Sequence, residues 1–503
     1  MLVTGMLLAG LLGTPSAGAA SPTRVRSSPC AAFDTVDRQA DPQLGSGLSL
    51  TMADEAHYVP AGRRPVITLD VPAPVPGATV TYTVSRRGRV LLSRSVAPTQ
   101  TRPLALPAVV PGAYELAAHL VVGGRERGAS CLRYGLGMPN AVLDPAHLPA
   151  GKDWGGGGAE RQVALHRQLG VSVVRAQLDV RTFLADPSSY DASFGAAAAR
   201  ARASGVRLVV QVGQGGAAEK AAVANGSWGR VVRAIVARQK GRVTYWEAWN
   251  EPNFTYFYQG MPRDYVQSVL KPFARAVHAA DPRAKVVGGS TLGFNSEWWT
   301  QFGQAGGFRA VDVVAVHPYS WAQSWEQSGV VGDLQQLCRI KTAFGAQRKP
   351  LWDTESGYKS TVEMGGVWTQ ADNLTRKLLW ERTFGIAPGN FLTEGGWEDW
   401  SVIDYFRGVK PAALAMSTLR TVLVGRHFAG WVRTGVPGVH AARFVGRGNT
   451  LTAVWTADVT RRIPLRVGHP AIDETGAPGW AAGSLRVTGS VQYVVARAGQ
   501  PAL

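Results

Sequence analysis

The chain has 503 residues, 45% of them hydrophobic, enough to bury a large core and to form more than one domain. Its formal net charge is +18, yet the arginines, 43 against 10 lysines, are scattered with no basic stripe interleaved with aromatics, which argues against a nucleic-acid partner. Three cysteines exclude a disulfide scaffold, and no Cys/His spacing suggests a zinc site.

Residues 1–20 contain the apolar run Met6-Leu7-Leu8-Ala9-Gly10-Leu11-Leu12, then small residues around Ala17-Gly18-Ala19. This reads as a secretory signal with an A-x-A cleavage site, too short to span a bilayer, although no Lys or Arg precedes it. The protein is therefore expected to be secreted, and nothing later in the chain resembles a membrane helix. The basic surface reads as solvated, with loose association with anionic cell-wall polymers left open.

Residues 21–44 are polar and aperiodic and read as a linker. From 45 to 132 short alternating runs, such as 65–71, 78–84 and 112–120, are broken by Pro and Gly, predicting a small Ig-like β-sandwich. This segment has no Trp, so a spacer or scaffold role is expected rather than sugar binding. Cys30 and Cys131 flank it, and a bridge tying its ends is expected in an exported protein.

Between 133 and 424, β-rich runs alternate with amphipathic helical stretches. The candidate strands are 132–137, 171–177, 206–211, 244–249, 285–289, 311–317, 350–354 and 390–397, with helices such as 228–239, 264–280 and 370–384 between them. Eight β-then-α units predict an α/β fold of the (β/α)8 barrel type. A doubly wound open sheet is the alternative, but no glycine-rich phosphate loop follows the first strand. Residues 425–503 return to short strands and read as a C-terminal β-sandwich.

Two strand ends carry the chemistry. Tyr245-Trp246-Glu247-Ala248-Trp249-Asn250-Glu251-Pro252-Asn253 delivers Glu251, and Leu351-Trp352-Asp353-Thr354-Glu355-Ser356-Gly357 delivers Glu355. In a barrel of parallel strands both lie at the C-terminal mouth. Two such carboxylates suit glycosidic hydrolysis: one attacks the anomeric carbon while the other protonates the leaving oxygen. Glu247 precedes the strand end and is expected to point inward and pair with a buried cation such as Arg175.

The Asn-Glu-Pro run resembles the fourth-strand motif of retaining glycoside hydrolases of clan A, most closely bacterial family 39-like proteins. Val174-Arg175, the approach Ala280-Asp281-Pro282-Arg283-Ala284-Lys285-Val286-Val287, Val314-Ala315-Val316-His317-Pro318-Tyr319 and Trp352-Asp353-Thr354-Glu355 follow in the same order. The resemblance implies Glu251 as acid/base, Glu355 as nucleophile and Asn250 as the contact to the sugar 2-hydroxyl. It also implies His317 and Tyr319 lining the −1 subsite, and Arg175 as the charge that keeps a carboxylate ionised. Trp397 would be an aromatic floor, although Glu394-Gly395-Gly396-Trp397-Glu398-Asp399 departs from the aromatic run expected there. The implied partner is an oligo- or polysaccharide, with no cofactor and no metal.

Trp321 and Trp325, after the sixth strand, fit either outer sugar subsites or buried loop anchors. Thirteen of the sixteen tryptophans lie in 133–424 and none before it, which places the aromatic surface on the barrel. The long tryptophan-bearing loop favours endo-action on a bacterial exopolysaccharide or wall glycan. Transglycosylation, which uses the same carboxylates, and a non-catalytic glycan-binding barrel remain the rival readings.

Overall fold

The computed structural model describes residues 47–497 with Pro29 and Cys30, apart from 54–56, 72–75, 99–100, 108–109, 139–149, 154–168, 170, 172, 322, 387–389, 395–398, 405–407, 447 and 466. For 150–153 and 390–394 only the backbone is described. The expected leader, most of the linker and Trp397 lie outside the described residues.

The N-terminal part holds two sheets around one core. A three-stranded sheet is formed by Ser49–Met52, Ile67–Asp70 and Thr101–Pro103. A five-stranded sheet runs in the order Tyr58–Val59, Arg125–Leu136, Gly112–Val122, Ala78–Arg86, Arg89–Val96. Alternate residues face inward, as strand geometry requires: Ile67 and Leu69 meet Val80, Tyr82, Leu116 and Leu132. Cys30 and Cys131 form a buried disulfide.

This arrangement overturns one expectation. Residues 132–137 do not open the parallel sheet; Leu132 pairs with Leu116 and Tyr134 with Tyr114, antiparallel, in the N-terminal sheet. Their pattern marks a strand but does not say which sheet it joins. The first parallel strand is Ala150–Asp153. Its Ala-Gly-Lys-Asp sequence contains no β-branched or aromatic residue and so gives no strand signal.

Eight parallel strands follow one another in space. The order is Leu351–Asp353, Val313–His317, Lys285–Leu292, Tyr245–Ala248, Arg207–Val212, Val173–Leu178, Ala150–Asp153, Asn390–Glu394. Chain order is thus spatial order, with the eighth strand beside the first. Outward-facing Val174, Val210, Trp246, Val286 and Val314 join helix residues such as Val232, Ile235, Phe273 and Val277 in the main core. Inward-facing Val173, Val209, Val287, Val313, Ala315 and Trp352 form a separate cluster, with Tyr245 packed on it.

That inner cluster already implies a curled sheet, and one hydrogen bond makes the curl quantitative. Strands two and seven would lie about 24 Å apart in a flat sheet at about 4.8 Å per strand. Arg175, on strand two, instead places Nη1 2.8 Å from Oε2 of Glu355, beyond strand seven. Among the described residues no ladder joins strands seven and eight.

The C-terminal six-stranded sheet lays Phe444, Leu451, Ala453, Trp455 and Tyr493 on the main core. Its other face covers a smaller core with the strand pair Arg461–Pro464 and Ser484–Val487. Arg87, at the turn between Ala78–Arg86 and Arg89–Val96, bonds both Asp372 on the helix Gly366–Phe384 and Glu474 of the C-terminal part, joining all three. No helix among the described residues is long and apolar enough to cross a membrane.

Candidate active site

The end of strand four is held by backbone constraints. Trp249 and Asn250 donate their N–H groups to Val212 and Gly213 carbonyls at 2.9 and 3.0 Å, and Tyr265 donates its hydroxyl to the Ala248 carbonyl at 2.8 Å. Trp249 and Glu251 both take left-handed φ values, 66° and 41°. Such non-glycine positions cost on the order of 1–3 kcal/mol each. The bend turns Glu251 over the sheet mouth. Gly213 makes room for it, since a Cβ there would stand 2.6 Å from the Trp249 ring.

Glu247 faces the inside of the curled sheet, fully buried. Arg175 Nε donates to its Oε2, while Ser290 and Thr354 donate hydroxyls to Oε1 at 2.7 and 2.6 Å. Burial alone would raise its pKa, but Arg175 and then His317 hold it down to about 2. Ser290 reaches it because the fifth strand bulges between Gly289 and Thr291 and puts Ser290 at φ 45°.

Arg175 distributes its guanidinium over three acceptors: Glu247, Glu355 Oε2 at 2.8 Å, and Asn250 Oδ1 at 3.0 Å. The last bond sets the Asn250 amide, leaving its NH2 group as the hydrogen-bond donor. Burial would lower the Arg175 pKa, but Glu247 and Glu355 outweigh it and raise it, so the charge is permanent. Tyr319 donates its hydroxyl to Glu355 Oε1 at 2.9 Å. Burial, then the Glu355 charge, pushes that phenol well above its usual value, so it acts as a neutral donor.

His317 Nδ1 lies 2.9 Å from Glu251 Oε1, and its Nε2 faces Glu247 Oε1 across 3.8 Å. Burial lowers the imidazole pKa, but three surrounding glutamates, Glu355 foremost, raise it to about 9. At neutral pH it is an imidazolium donating to Glu251. The result is a centre of three carboxyl groups and two cationic side chains, closed to solvent except at Glu251 and Glu355.

Ligand atoms of Glu251, His317 and Glu355 all lie within 4.8 Å of one another. A divalent cation placed there would displace the Glu251–His317 hydrogen bond and meet Arg175 across Glu355, so the donor set suits a substrate better than a metal.

Six of the seven site residues singled out from the sequence therefore converge: Arg175, Asn250, Glu251, His317, Tyr319 and Glu355. Trp397 lies outside the described residues. Trp325 is buried, donating Nε1–H to the Pro318 carbonyl at 3.2 Å, and is a loop anchor. Trp321 is 59% exposed and stacks on Tyr319 at 5.3 Å, with Trp400 edge-on to both. Tyr256, on the loop after Glu251, is also exposed.

Sequence reasoning missed Ser290, Thr354 and Trp400. It also missed a support behind the seventh strand: Asp353 accepts the Glu355 N–H at 3.0 Å and is paired at 2.6 Å with Lys377, which also meets Glu381 at 2.9 Å. The signal for that support was the i, i+4 pair Lys377 and Glu381 among the buried residues of the helix.

No protein-family model matches the chain, and no curated protein matches it in sequence. Solved structures match it in shape. A family 39 glycoside hydrolase from Bacteroides cellulosilyticus WH2 is 17% identical with a TM-score of 0.68, over 89% of this chain and 100% of that one. A family 39 β-xylosidase from Caulobacter crescentus is 16% identical with a TM-score of 0.51, over 71% and 97%. A family 30 endoxylanase from Clostridium papyrosolvens C71 is 13% identical with a TM-score of 0.51, over 70% and 95%. The fold is that of the clan A glycoside hydrolases. The clan A likeness rests on shape, and the carboxylate geometry above is independent of it.

Proposed function

We propose that the protein is a retaining glycoside hydrolase built on a closed (β/α)8 barrel between two β-sandwiches, acting on an oligo- or polysaccharide by double displacement. The observation that carries this reading is the pair Glu251 and Glu355, with oxygens within 4.8 Å, each held by its own donors. Retaining enzymes separate their carboxyl groups by about 5–5.5 Å and inverting ones by about 6.5–9.5 Å, so the spacing favours direct attack. The likeness to a β-xylosidase and an endoxylanase supports a glycosidic substrate.

In the first step, Glu355 attacks the anomeric carbon as the glycosidic bond breaks and protonated Glu251 gives its proton to the leaving oxygen. The covalent glycosyl-enzyme is then hydrolysed by water that Glu251 deprotonates. Tyr319 and Arg175 hold the two Glu355 oxygens, fixing the attacking lone pair. Asn250 donates to the 2-hydroxyl.

The exposed Trp321 and Tyr256 support sugar contacts beyond the cleaved bond and hence endo-action on an exopolysaccharide or wall glycan. The buried disulfide supports export to an oxidising compartment.

The test is Glu355→Ala on an aryl glycoside with azide, together with proton NMR of the first product from wild type. Loss of turnover, rescue as an inverted glycosyl azide, and a wild-type product of retained configuration are expected. An inverted first product would overturn the nucleophile assignment. If wild type binds glycan yet turns nothing over, the barrel is a binding module.

A further inference from the structure

At the opposite end of the sheet, where the strands begin, lies a cleft of about 340 Å³ lined by Arg202, Arg207, Arg242, Thr244, Asp281 and Arg283. The single acid among these is already committed. Asp281 is buried and accepts backbone N–H groups from Gly241 at 3.1 Å and Arg283 at 3.0 Å. Arg207 is partly buried, its guanidinium lying 5.9 Å over the Tyr245 ring and forming the cleft wall.

Arg202, Arg242 and Arg283 are exposed, and among the described residues none of their guanidinium groups pairs with a carboxylate. Surface arginines of a folded protein are ordinarily dispersed. Here four elements bring them to one concavity: the end of the helix Ala196–Ala203, the start of the strand Arg207–Val212, and the turns before Tyr245–Ala248 and Lys285–Leu292.

We propose that this cleft binds an anionic glycan, through carboxylate or phosphate groups carried on the sugar chain. Guanidinium forks bind both oxyanions in two-point fashion, and a concave site with four arginines against one acid concentrates a positive field. The volume admits one charged sugar unit at a time. No exposed aromatic lines the cleft, so the base stacking that single-stranded nucleic acid needs is absent from it.

The cleft is a strand's length from the carboxylate pair, roughly 20 Å from Thr244 to Asn250 at about 3.3 Å per residue. Binding there leaves the mouth open and raises the local concentration of a tethered glycan. The inference is independent of catalysis and stands whether or not the proposed hydrolysis occurs.

The experiment compares the full chain with the triple variant Arg202→Ser/Arg242→Ser/Arg283→Ser in pull-down and titration against polygalacturonate, a glycerol-phosphate teichoic acid, neutral xylan and single-stranded DNA, at 50 and 300 mM salt. A control triple variant, Arg63→Ser/Arg64→Ser/Arg94→Ser, removes the same charge from exposed N-terminal positions.

The cleft variant is expected to lose at least tenfold in affinity for one or both acidic glycans at low salt, and the control less than twofold. Whichever acidic glycan responds names the oxyanion. Neutral xylan binding and aryl-glycosidase activity should be unchanged. Equal losses in the two variants would reduce the effect to net charge and overturn the cleft. DNA binding as tight as glycan binding would overturn the choice of ligand. Should the triple variant fail to fold by circular dichroism, the single variant Arg242→Ser, expected to lose about threefold, replaces it under the same criteria.

Discussion

Tyr319 and Glu355 meet at 2.9 Å, the phenol donating to the oxygen opposite the one held by Arg175. Each oxygen of the proposed nucleophile is thus held by a donor, and the carboxylate cannot rotate without breaking both bonds. Tyr319→Phe removes the donor and keeps the ring against Trp321. A hydrogen bond to a charged group contributes about 1.5–3 kcal/mol, so kcat should fall roughly 10- to 150-fold with KM little changed. Steady-state kinetics on an aryl glycoside measures this. A KM effect with intact kcat would place Tyr319 in binding instead.

Glu251 and its histidine predict a dependence on the leaving group. Glu251→Gln should slow a glycoside with a poor, alkyl-type leaving group by roughly 10²–10⁴-fold, the usual contribution of a positioned proton donor. An activated dinitrophenyl glycoside, whose oxygen leaves without a proton, should keep its glycosylation rate. Pre-steady-state bursts on the two substrates separate the cases, and equal losses on both would remove the acid role.

The buried pair Arg175–Glu247 should matter for folding as much as for chemistry. Arg175→Met leaves Glu247 charged, buried and without its principal partner, a loss of about 3–5 kcal/mol. The double variant Arg175→Met/Glu247→Gln should recover part of it, because the uncompensated charge goes as well. Urea unfolding of the four proteins forms a double-mutant cycle. A single-variant loss below about 1 kcal/mol would rule out the pair as structural.

Much of this site was legible in the chain because strand ends have strong local signatures. Asn250-Glu251 and Glu355 sit just past short β-rich runs, and the alternation in Tyr245-Trp246-Glu247 separates the outward Trp246 from the inward Glu247. The first parallel strand was not legible, since Ala150–Asp153 is held by neighbours on both sides rather than by its own propensity. Ser290 was hidden for another reason. Its aim depends on a one-residue bulge, and an even period along the strand assigns it to the wrong face. Trp400 was missed because its partners, Tyr319 and Trp321, lie on a distant loop.

Stability should respond to pH in two opposite ways. The His317 pKa rises on folding from an ordinary 6.5 to about 9, so between those values the folded protein holds the extra proton. Its contribution is complete below about pH 6.5 and is lost as pH climbs through 9, at no more than about 1.4 kcal/mol per unit. Glu247 moves down from 4.5 to about 2, so its contribution is complete above about pH 4.5 and is lost as pH falls through 2. His317→Gln should flatten the alkaline limb and shrink the acid limb, because His317 helps to hold Glu247 down, while Arg175 keeps part of the acid limb in place. Urea midpoints from pH 3 to 9.5 test this, and an unchanged alkaline slope in the variant would show that another group titrates there.

Trp321 extends the support of Glu355 through Tyr319 outward to solvent. Its ring lies nearly parallel to Tyr319, 18° between planes, and its outer face is free to receive a sugar. Stacking of this kind contributes about 0.5–1.5 kcal/mol, so Trp321→Ala should raise KM for a long glycan roughly 2- to 12-fold. Small aryl glycosides, which end at the cleaved bond, should respond by less than twofold if the ring serves an outer subsite. The same variant should shift the products of polymer digestion toward a different fragment length, because internal cleavage positions the chain through such contacts. Mass detection of the released fragments reads the shift. If the loss is the same on short and long substrates, Trp321 acts by buttressing Tyr319, and the case for internal cleavage rests on Tyr256 alone.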